Sequence, residues 1–378
     1  MLRWTLLVFA FALLALGSLT VFKTPDWAPW RLGVLAGEFG HWLAAAALGL
    51  AVFTWFARDG AGAWAVATCV PALVATTLFL KPSWQARRVA EELPAKLAAQ
   101  FGSHELARPA FSPAALFGRD AAPVAVETRN VSPGLPLDFY RPVRAVGAGP
   151  VPVVIAVHGG GWDSGDRMQI AHLNHWIAQQ GYAVAAVSYR LAPKHQWPAQ
   201  RDDVLAAISF LKSHAAELGI DPAKFILLGR SAGGQIAQAV GYTAGDPAIR
   251  GVVALYAPSD LIFGYVNTHE NDAIKSPALM RQFLGGTPDS ARANYESASA
   301  IFHATPRSPP TLLLHGTLDA VSWHRHSERL AARLKEERVP HAYVALPWAT
   351  HGFEFNLHGP GGQLTTFALE WFLAAGTK

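Results

Sequence analysis

Five residues constrain this chain more than any others: Gly229, Arg230, Ser231, Ala232 and Gly233. An apolar run of strand length, Phe225 to Leu228, leads into them, and Gly234 to Val240 leaves with the pattern of a helix start. A strand that turns directly into a helix has no room for side chains two residues before or after the corner, which accounts for glycine at both places. The corner also lifts the Ser231 hydroxyl off the strand end and aims the Ala232 amide at the same point, at the positive end of the following helix. A serine between two glycines also arises by chance as a solvated turn, so the rest of the chain has to decide.

The 378 residues are 51% hydrophobic and only 15% charged, and mean hydropathy is positive. That is too apolar for one ordinary water-soluble domain and places part of the chain in lipid. The excess lies at the start. Residues 4–22 and 61–80 carry no charge, and 39–57 carry only His41, bordered by Glu38 and Arg58. Each stretch approaches the roughly 20 apolar residues that cross a bilayer. The expectation is three membrane helices within residues 1–80 and a multi-pass protein. The first stretch also fits a signal peptide, although no A-x-A site follows it. Lys23, Arg31, Lys81, Arg87, Arg88 and Lys96 on one side outweigh Arg3 and Arg58 on the other, which would turn the remainder of the chain to the cytoplasm. Glu38 and His41 share a helical face and read as headgroup-level anchors rather than a functional pair. A net charge of +4 without basic, aromatic-interleaved runs argues against a nucleic-acid partner. The single cysteine, Cys69, excludes a disulfide framework and a cysteine zinc site.

In residues 81–122, Trp84, Val89, Leu93, Leu97 and Phe101 recur at helical spacing among charged residues, an amphipathic segment suited to a membrane surface or a lid. Pro94 predicts a kink or two short helices. Residues 103–122 are irregular and mark a boundary. From 123 to 378 strands alternate with helices. Segments 124–128 and 137–140 read as an antiparallel edge pair about Ser132-Pro133-Gly134, followed by strands at 151–157, 182–187, 225–228, 252–256, 311–314 and 341–346. Helices are expected around 168–180, 201–214, 327–337 and 364–374. The alternation predicts an α/β domain with a mostly parallel sheet and helices on both faces.

His158-Gly159-Gly160-Gly161-Trp162 follows the strand at 151–157. The amides of Gly159 and Gly160, with that of Ala232, suit an oxyanion hole. A serine hydroxyl needs a base. His351 follows the last strand, and Asp319, just past the strand at 311–314, is placed to orient it. Asp260, after the strand at 252–256, is the second choice of acid. Among 15 histidines, position sets His351 above His303, His341 and His358. His324 and His326 alternate without a third ligand, so no metal is expected. Asn130-Val131-Ser132 matches a glycosylation sequon, which matters only in a secretory lumen. The order Ser231, Asp319, His351 is that of α/β-hydrolases.

From about Val124 onward the chain resembles the hormone-sensitive-lipase-like carboxylesterases, above all the branch whose oxyanion loop reads HGG-x-W-x-x-GD, here His158 to Asp166. Tyr189 to Pro193, Trp197 to Gln200 with Asp203, Ser231 to Gly234, and His351 to Phe353 extend the match. The resemblance implies an α/β-hydrolase fold with Ser231 as nucleophile, His351 as base and Asp319 as its orienter. It also implies Gly159, Gly160 and Ala232 as oxyanion donors, no cofactor, and a small-molecule ester substrate cleaved through an acyl-enzyme. Tyr189 and Asp203 become structural positions. Arg230 departs from a branch that usually carries an acid before the serine, and the apolar N-terminal region lies outside the family core. The same triad also serves amide or peptide hydrolysis, and the fold without its triad serves as a small-molecule binding module. The expectation is a membrane-anchored esterase for apolar acyl or alkyl esters, with membrane lipid as its partner. Its pocket is expected from residues 103–122 and 259–309, and its chemistry, all of it after Pro150, is expected to be separable from the anchor.

Overall fold

The structure, a computed structural model, describes residues 1–58, 62–143 and 149–377. Helices α1 (Leu2–Ser18), α2 (Arg31–Glu38), α3 (Gly40–Phe56) and α4 (Ala63–Phe101) take up the apolar start of the chain. Where α1, α3 and α4 meet, the buried residues are mostly small: Ala10, Ala44, Ala47, Ala51, Ala72 and Ala75. Gly40 brings two backbones closer still, because a Cβ there would collide with the Phe79 carbonyl. The large apolar side chains point outward, with Trp4, Phe9, Phe11, Trp42, Phe53 and Trp55 all exposed. A small-residue seam under a bulky apolar exterior is how helices pack in lipid.

The expectation of three spans is corrected on length. Among the described helices α4 alone is long and apolar enough to cross a membrane, and α2 and α3 reach that only as a pair bent by 77°. Helices α1 and α3 have 17 residues each, about 26 Å against a hydrocarbon core of about 30 Å. Ala61, the first residue of the third stretch, lies outside the described residues. The multi-pass arrangement and the charge argument for a cytoplasmic domain both counted three spans, and they lose that premise. Helix α4 also runs unbroken through the amphipathic segment, with Pro71, Pro82 and Pro94 inside it, rather than as two short helices. Its second half lays Ala86, Leu93 and Leu97 against the α/β body, and Lys96 Nζ donates to the Tyr343 carbonyl at 3.0 Å. The segment is packed on protein along that stripe.

The body begins with the hairpin β1 (Val126–Ser132) and β2 (Leu135–Tyr140). There follow β3 (Val151–Val157), α5 (Ala171–Gln179), β4 (Ala183–Val187), α6 (Ala199–Ser213), α7 (Ala215–Leu218), β5 (Ile220–Arg230), α8 (Ala232–Thr243) and β6 (Ile249–Leu255). Residues 259–309, which read as an irregular, partly helical insertion, hold three short helices, α9 (Leu261–Val266), α10 (Ser276–Leu284) and α11 (Arg292–Ala298). Then come β7 (Thr311–Gly316), α12 (Arg325–Glu336), β8 (His341–Leu346) and α13 (Pro360–Gly376). The sheet order is β1-β2-β4-β3-β5-β6-β7-β8. Strand β2 runs antiparallel to β1 and β4, and every pair from β4 to β8 is parallel. The central strands read as unbroken apolar runs because both faces are covered. Ile155, Val157 and Leu227 face one layer, while Val154, Ala156, Ile226 and Leu228 face the other. From β3 the chain steps to β4 on one side and later to β5 on the other. The carboxyl ends of β3 and β5 therefore flank the point where strand order reverses, the usual seat of a site in such sheets.

The seam makes a paired prediction. Gly40→Ala should destabilise the full chain by about 1–3 kcal/mol through forced separation of α3 and α4. Gly49, in the same helix, has nothing within 4 Å of a would-be Cβ, so Gly49→Ala should be neutral or stabilising by up to about 1 kcal/mol. Thermal melting of both variants in detergent checks the contrast, and equal shifts would remove the close-packing account.

Candidate active site

Ser231 sits at the exit of β5 with φ 52° and ψ −123°, a backbone state that costs a non-glycine residue about 1–3 kcal/mol. Crowding enforces it. A Cβ on Gly229 would collide with the Gly233 carbonyl, and one on Gly233 with the carbonyls of Val157 and His158. A Cβ on Gly234 would stand 2.6 Å from the Ala257 side chain. The Ser231 amide donates to the Leu255 carbonyl at 2.9 Å, which ties the corner to β6.

Asp319 and His351 come together behind this corner. His351 Nδ1 lies 2.8 Å from Asp319 Oδ2, and Asp319 Oδ1 accepts from the amides of Val321 at 2.7 Å and Ser322 at 2.8 Å. A residue the sequence reading passed over stands beneath. His315 is fully buried, 3.4 Å through Nε2 from Asp319 Oδ2, and is held by the Ser322 carbonyl and the Ser327 hydroxyl. Burial alone would raise the Asp319 carboxyl, but its two histidine partners outweigh that and hold it below the ordinary carboxylate range. Asp260 is occupied elsewhere. It caps α9 through the Phe263 amide and pairs with Arg329 at 2.8 Å. His324 turns to Glu328 at 3.5 Å, while His326 is buried, its pKa pushed down to about 3 by desolvation first of all.

Tyr256 packs on His351 with ring centroids 4.2 Å apart, and its hydroxyl donates to Glu354. Glu354 is also the answer to Arg230. The two are 2% and 0% exposed, and Arg230 Nε lies 3.3 Å from Glu354 Oε1. The arginine in the elbow is thus matched by a carboxylate in the segment just after His351, so the unusual residue brings its counter-charge with it.

In the oxyanion loop, Gly160 has φ 123°, and a Cβ on it would collide with the Ser164 carbonyl. Trp162 stacks on Phe283 at 4.6 Å and donates to Gln235 at 2.8 Å. Tyr189 stacks on His158 at 4.1 Å and donates to its carbonyl at 3.0 Å. Asp203 accepts from the Arg190 amide at 2.8 Å. The Gly159 amide donates to Gln169 Oε1 at 2.7 Å, so in this structure it is engaged, which leaves Gly160 and Ala232 of the three expected donors.

Ser231 opens on two spaces. A cavity of about 980 Å³ is lined by Gly160, Ser231, Tyr256 and His351. A small pocket of about 60 Å³ adjoins it across Gly161, Ser231 and Leu279, walled by Ala232, Leu261, Phe263, Met280 and His326. The far wall of the large cavity is Trp30, Arg31, Val34, Leu35 and Phe39. Trp30 meets the His351 ring edge-on at 5.5 Å. This corrects the expected pocket: α2 and its flanking residues supply the wall in place of residues 103–122, and Ile274 and Leu279 represent the segment 259–309. Removing the N-terminal helices would remove that wall.

Two acids can be told apart by substitution. Asp319→Asn should lower turnover by about 10⁴-fold through loss of the imidazole's orientation, whereas Asp260→Asn should act on stability. The Asp319 carboxyl is lowered on folding, so its contribution to stability is present above the unfolded value near about 3.9 and is lost as pH falls below it. Asp319→Asn should therefore flatten acid unfolding below about pH 4. Kinetics and unfolding curves of both variants check this, and a larger turnover loss in Asp260→Asn would reverse the assignment.

The comparisons with known proteins fit this geometry. The family model described as BD-FAE matches residues 137–334. The probable carboxylic ester hydrolase LipM of Mycobacterium tuberculosis is 28% identical over 254 residues, 63% of this chain and 57% of that protein. Esterase LipC of the same organism is 30% identical over 235 residues, 59% and 58%. The chain thus spans somewhat over half the length of the curated relatives it matches. A solved esterase from Pyrobaculum calidifontis superposes with a TM-score of 0.57 at 23% identity over 77% of this chain and 93% of that one. A truncated carbohydrate esterase from gut microbiota does so with a TM-score of 0.54 at 23% identity, over 62% and 90%. These superpositions show that the body has the α/β-hydrolase fold. The family match runs from within β2 into α12 and carries the oxyanion loop, the elbow and Asp319, and on that match the chain belongs to the BD-FAE family.

Proposed function

We propose that this protein is a membrane-associated serine hydrolase that cleaves carboxylic esters with a bulky apolar alcohol part through an acyl-enzyme. One observation carries the reading. Ser231, His351 and Gly160 share a cavity wall, and Asp319 holds the far side of His351 at 2.8 Å. Ser231 Oγ attacks the ester carbonyl carbon while the free imidazole nitrogen of His351 takes its proton, and Asp319 stabilises the imidazolium. The oxyanion faces the amides of Gly160 and Ala232. Collapse breaks the bond to the alkoxy oxygen, which leaves with the proton from His351. Water then gives a proton to His351 and attacks the acyl carbon, and the carboxylic acid departs as Ser231 regains its hydrogen. This cycle calls for no cofactor.

Because His351 protonates the leaving group, the alcohol belongs on its side of Ser231. His351 lines the cavity of about 980 Å³ and not the pocket of about 60 Å³, which is left for the acyl group. The volumes fit a short acyl chain and a large alcohol, which rests on Trp30, Val34 and Leu35. The bulky apolar exterior of α1, α3 and α4 supports membrane lipid as the neighbouring phase, with α4 as the anchor. Apolar esters concentrate there, beside a cavity that α2 walls.

Ser231→Ala should abolish fluorophosphonate labelling and lower ester turnover by about 10⁶-fold, and activity retained in that variant would sink the reading. With the alcohol fixed, acetyl and butyryl esters should outrun decanoyl esters by at least about 10-fold in kcat/KM, since each misfit methylene costs on that order. The reverse order would exchange the roles of the two spaces.

A further inference from the structure

Glu38 closes α2, where the sequence suggested a headgroup anchor, and it lies instead inside the protein at 1% exposure. Its Oε1 accepts from Trp348 Nε1 at 3.1 Å and its Oε2 from the Gly361 amide at 2.7 Å. Asn356 Nδ2 donates to its backbone carbonyl at 2.9 Å. Trp348 precedes His351 in the chain, while Asn356 and Gly361 follow it. One residue of the N-terminal helices therefore holds both arms of the loop that bears the base.

The slot is shaped for this carboxyl. A Cβ on Gly359 would stand 2.5 Å from its Oε2, and one on Gly361 2.8 Å from its Oε1. The Gly361 amide is available because it lies in the first turn of α13, where amides lack helical partners and the positive end of the helix favours an acceptor. Burial works against the carboxylate and, with Glu354 nearby, pushes Glu38 up to about 8 despite the N–H donors of Gly361, Trp348 and Gly362. A buried carboxyl is a costly way to fill space, and an apolar side chain of similar volume often packs as well or better. What an apolar side chain does not do is accept from donors on two arms of one loop. Around the same loop, a Cβ on Gly33 would stand 3.0 Å from Thr350 Cγ2, and Trp30 lies against His351 itself.

Resting on the serine-hydrolase reading above, we propose that Glu38 is a positioning residue for that reaction, acting through Trp348 and the start of α13 to set the His351 imidazole over Ser231. Docking of α2 is then a condition of turnover as well as a wall of the cavity. Glu38 itself lies behind the loop and is not among the cavity-lining residues.

The test uses the full-length chain in detergent and a short water-soluble ester. Glu38→Ala should lower kcat by about 10- to 100-fold and change KM by less than about 2-fold. Glu38→Gln keeps one acceptor and should restore part of the loss. Trp348→Phe keeps the ring without its donor and should fall between wild type and Glu38→Ala. The deciding measurement is a double-mutant cycle with His351→Ala, where residual hydrolysis comes from the oxyanion donors and binding alone. In that background Glu38→Ala should cost less than about 2-fold, since the group it positions is gone. Equal losses in both backgrounds, or wild-type kcat in Glu38→Ala, would overturn the proposal. If Glu38→Ala does not fold, the same cycle run with Trp348→Phe decides by the same criterion. Ser231→Ala in the same assay separates the two claims. Activity surviving there removes the serine-hydrolase reading, whereas its loss beside neutral Glu38 variants removes only the role of Glu38.

Discussion

The crowding between the exit of β5 and the end of β3 governs the rest of the molecule. Gly233 passes so close to the carbonyls of Val157 and His158 that no side chain fits. That contact fixes how α8 leaves the sheet, and the exit in turn forces Ser231 into a strained backbone state. Strain of about 1–3 kcal/mol persists only where neighbours over-determine it. Here they do: the sheet bond from Ser231 to Leu255, the helix α8 and the glycine contacts all fix the same few atoms. A backbone held so firmly fixes where the Ser231 side chain starts from before any substrate arrives, which is what its proposed role as nucleophile requires.

Charge inside the site follows the same economy of position. Arg230, 2% exposed, would be intolerable in the interior alone, since breaking such a buried pair costs about 3–5 kcal/mol. Glu354 neutralises it, and Tyr256 caps that carboxylate while packing on His351. The elbow and the segment that follows His351 are therefore joined by an ion pair. Asp319 is served in the same manner by His315 on one side and His351 on the other, with two loop amides on its second oxygen. Glu354 and Asp319 each have more than one partner, so each doubles as a tie between loops that the sheet alone leaves apart.

What the sequence made legible follows from locality. The strands from β3 to β8 show as apolar runs because both faces of each are covered, and the elbow shows because glycine is dictated by backbone contacts within a few residues. Asp319 and His351 are placed by their position after particular strands. What was not legible depends on contacts between distant segments. Glu38 meets Trp348 and Gly361 only after the N-terminal helices dock, and no periodicity encodes that meeting. The wall formed by Trp30 to Phe39 was hidden for the same reason. His315 carried a faint signal, four residues before Asp319 at the end of β7, yet a histidine at a strand end looks like any core residue. Gln169 gave none, and its claim on the Gly159 amide is a matter of side-chain reach.

The N-terminal helices show why composition and length have to be weighed together. Apolarity alone counted three spans, but a span is a length, and 17-residue helices fall short where the 39-residue α4 does not. Packing restores part of what length removes, since the alanine seam and the outward tryptophans and phenylalanines have no use for water. The two facts agree if α4 is the member that reaches across and α1 and α3 lean on it. In that arrangement the 77° bend between α3 and α2 is what turns the chain from the apolar bundle toward the body. The bend falls at Phe39, between Glu38, which faces Trp348, and Gly40, which faces Phe79. One side of the corner is thus committed to the α/β body and the other to α4. The corner thus joins two interfaces, and α4 meets the body directly as well, through Ala86, Leu93 and Leu97.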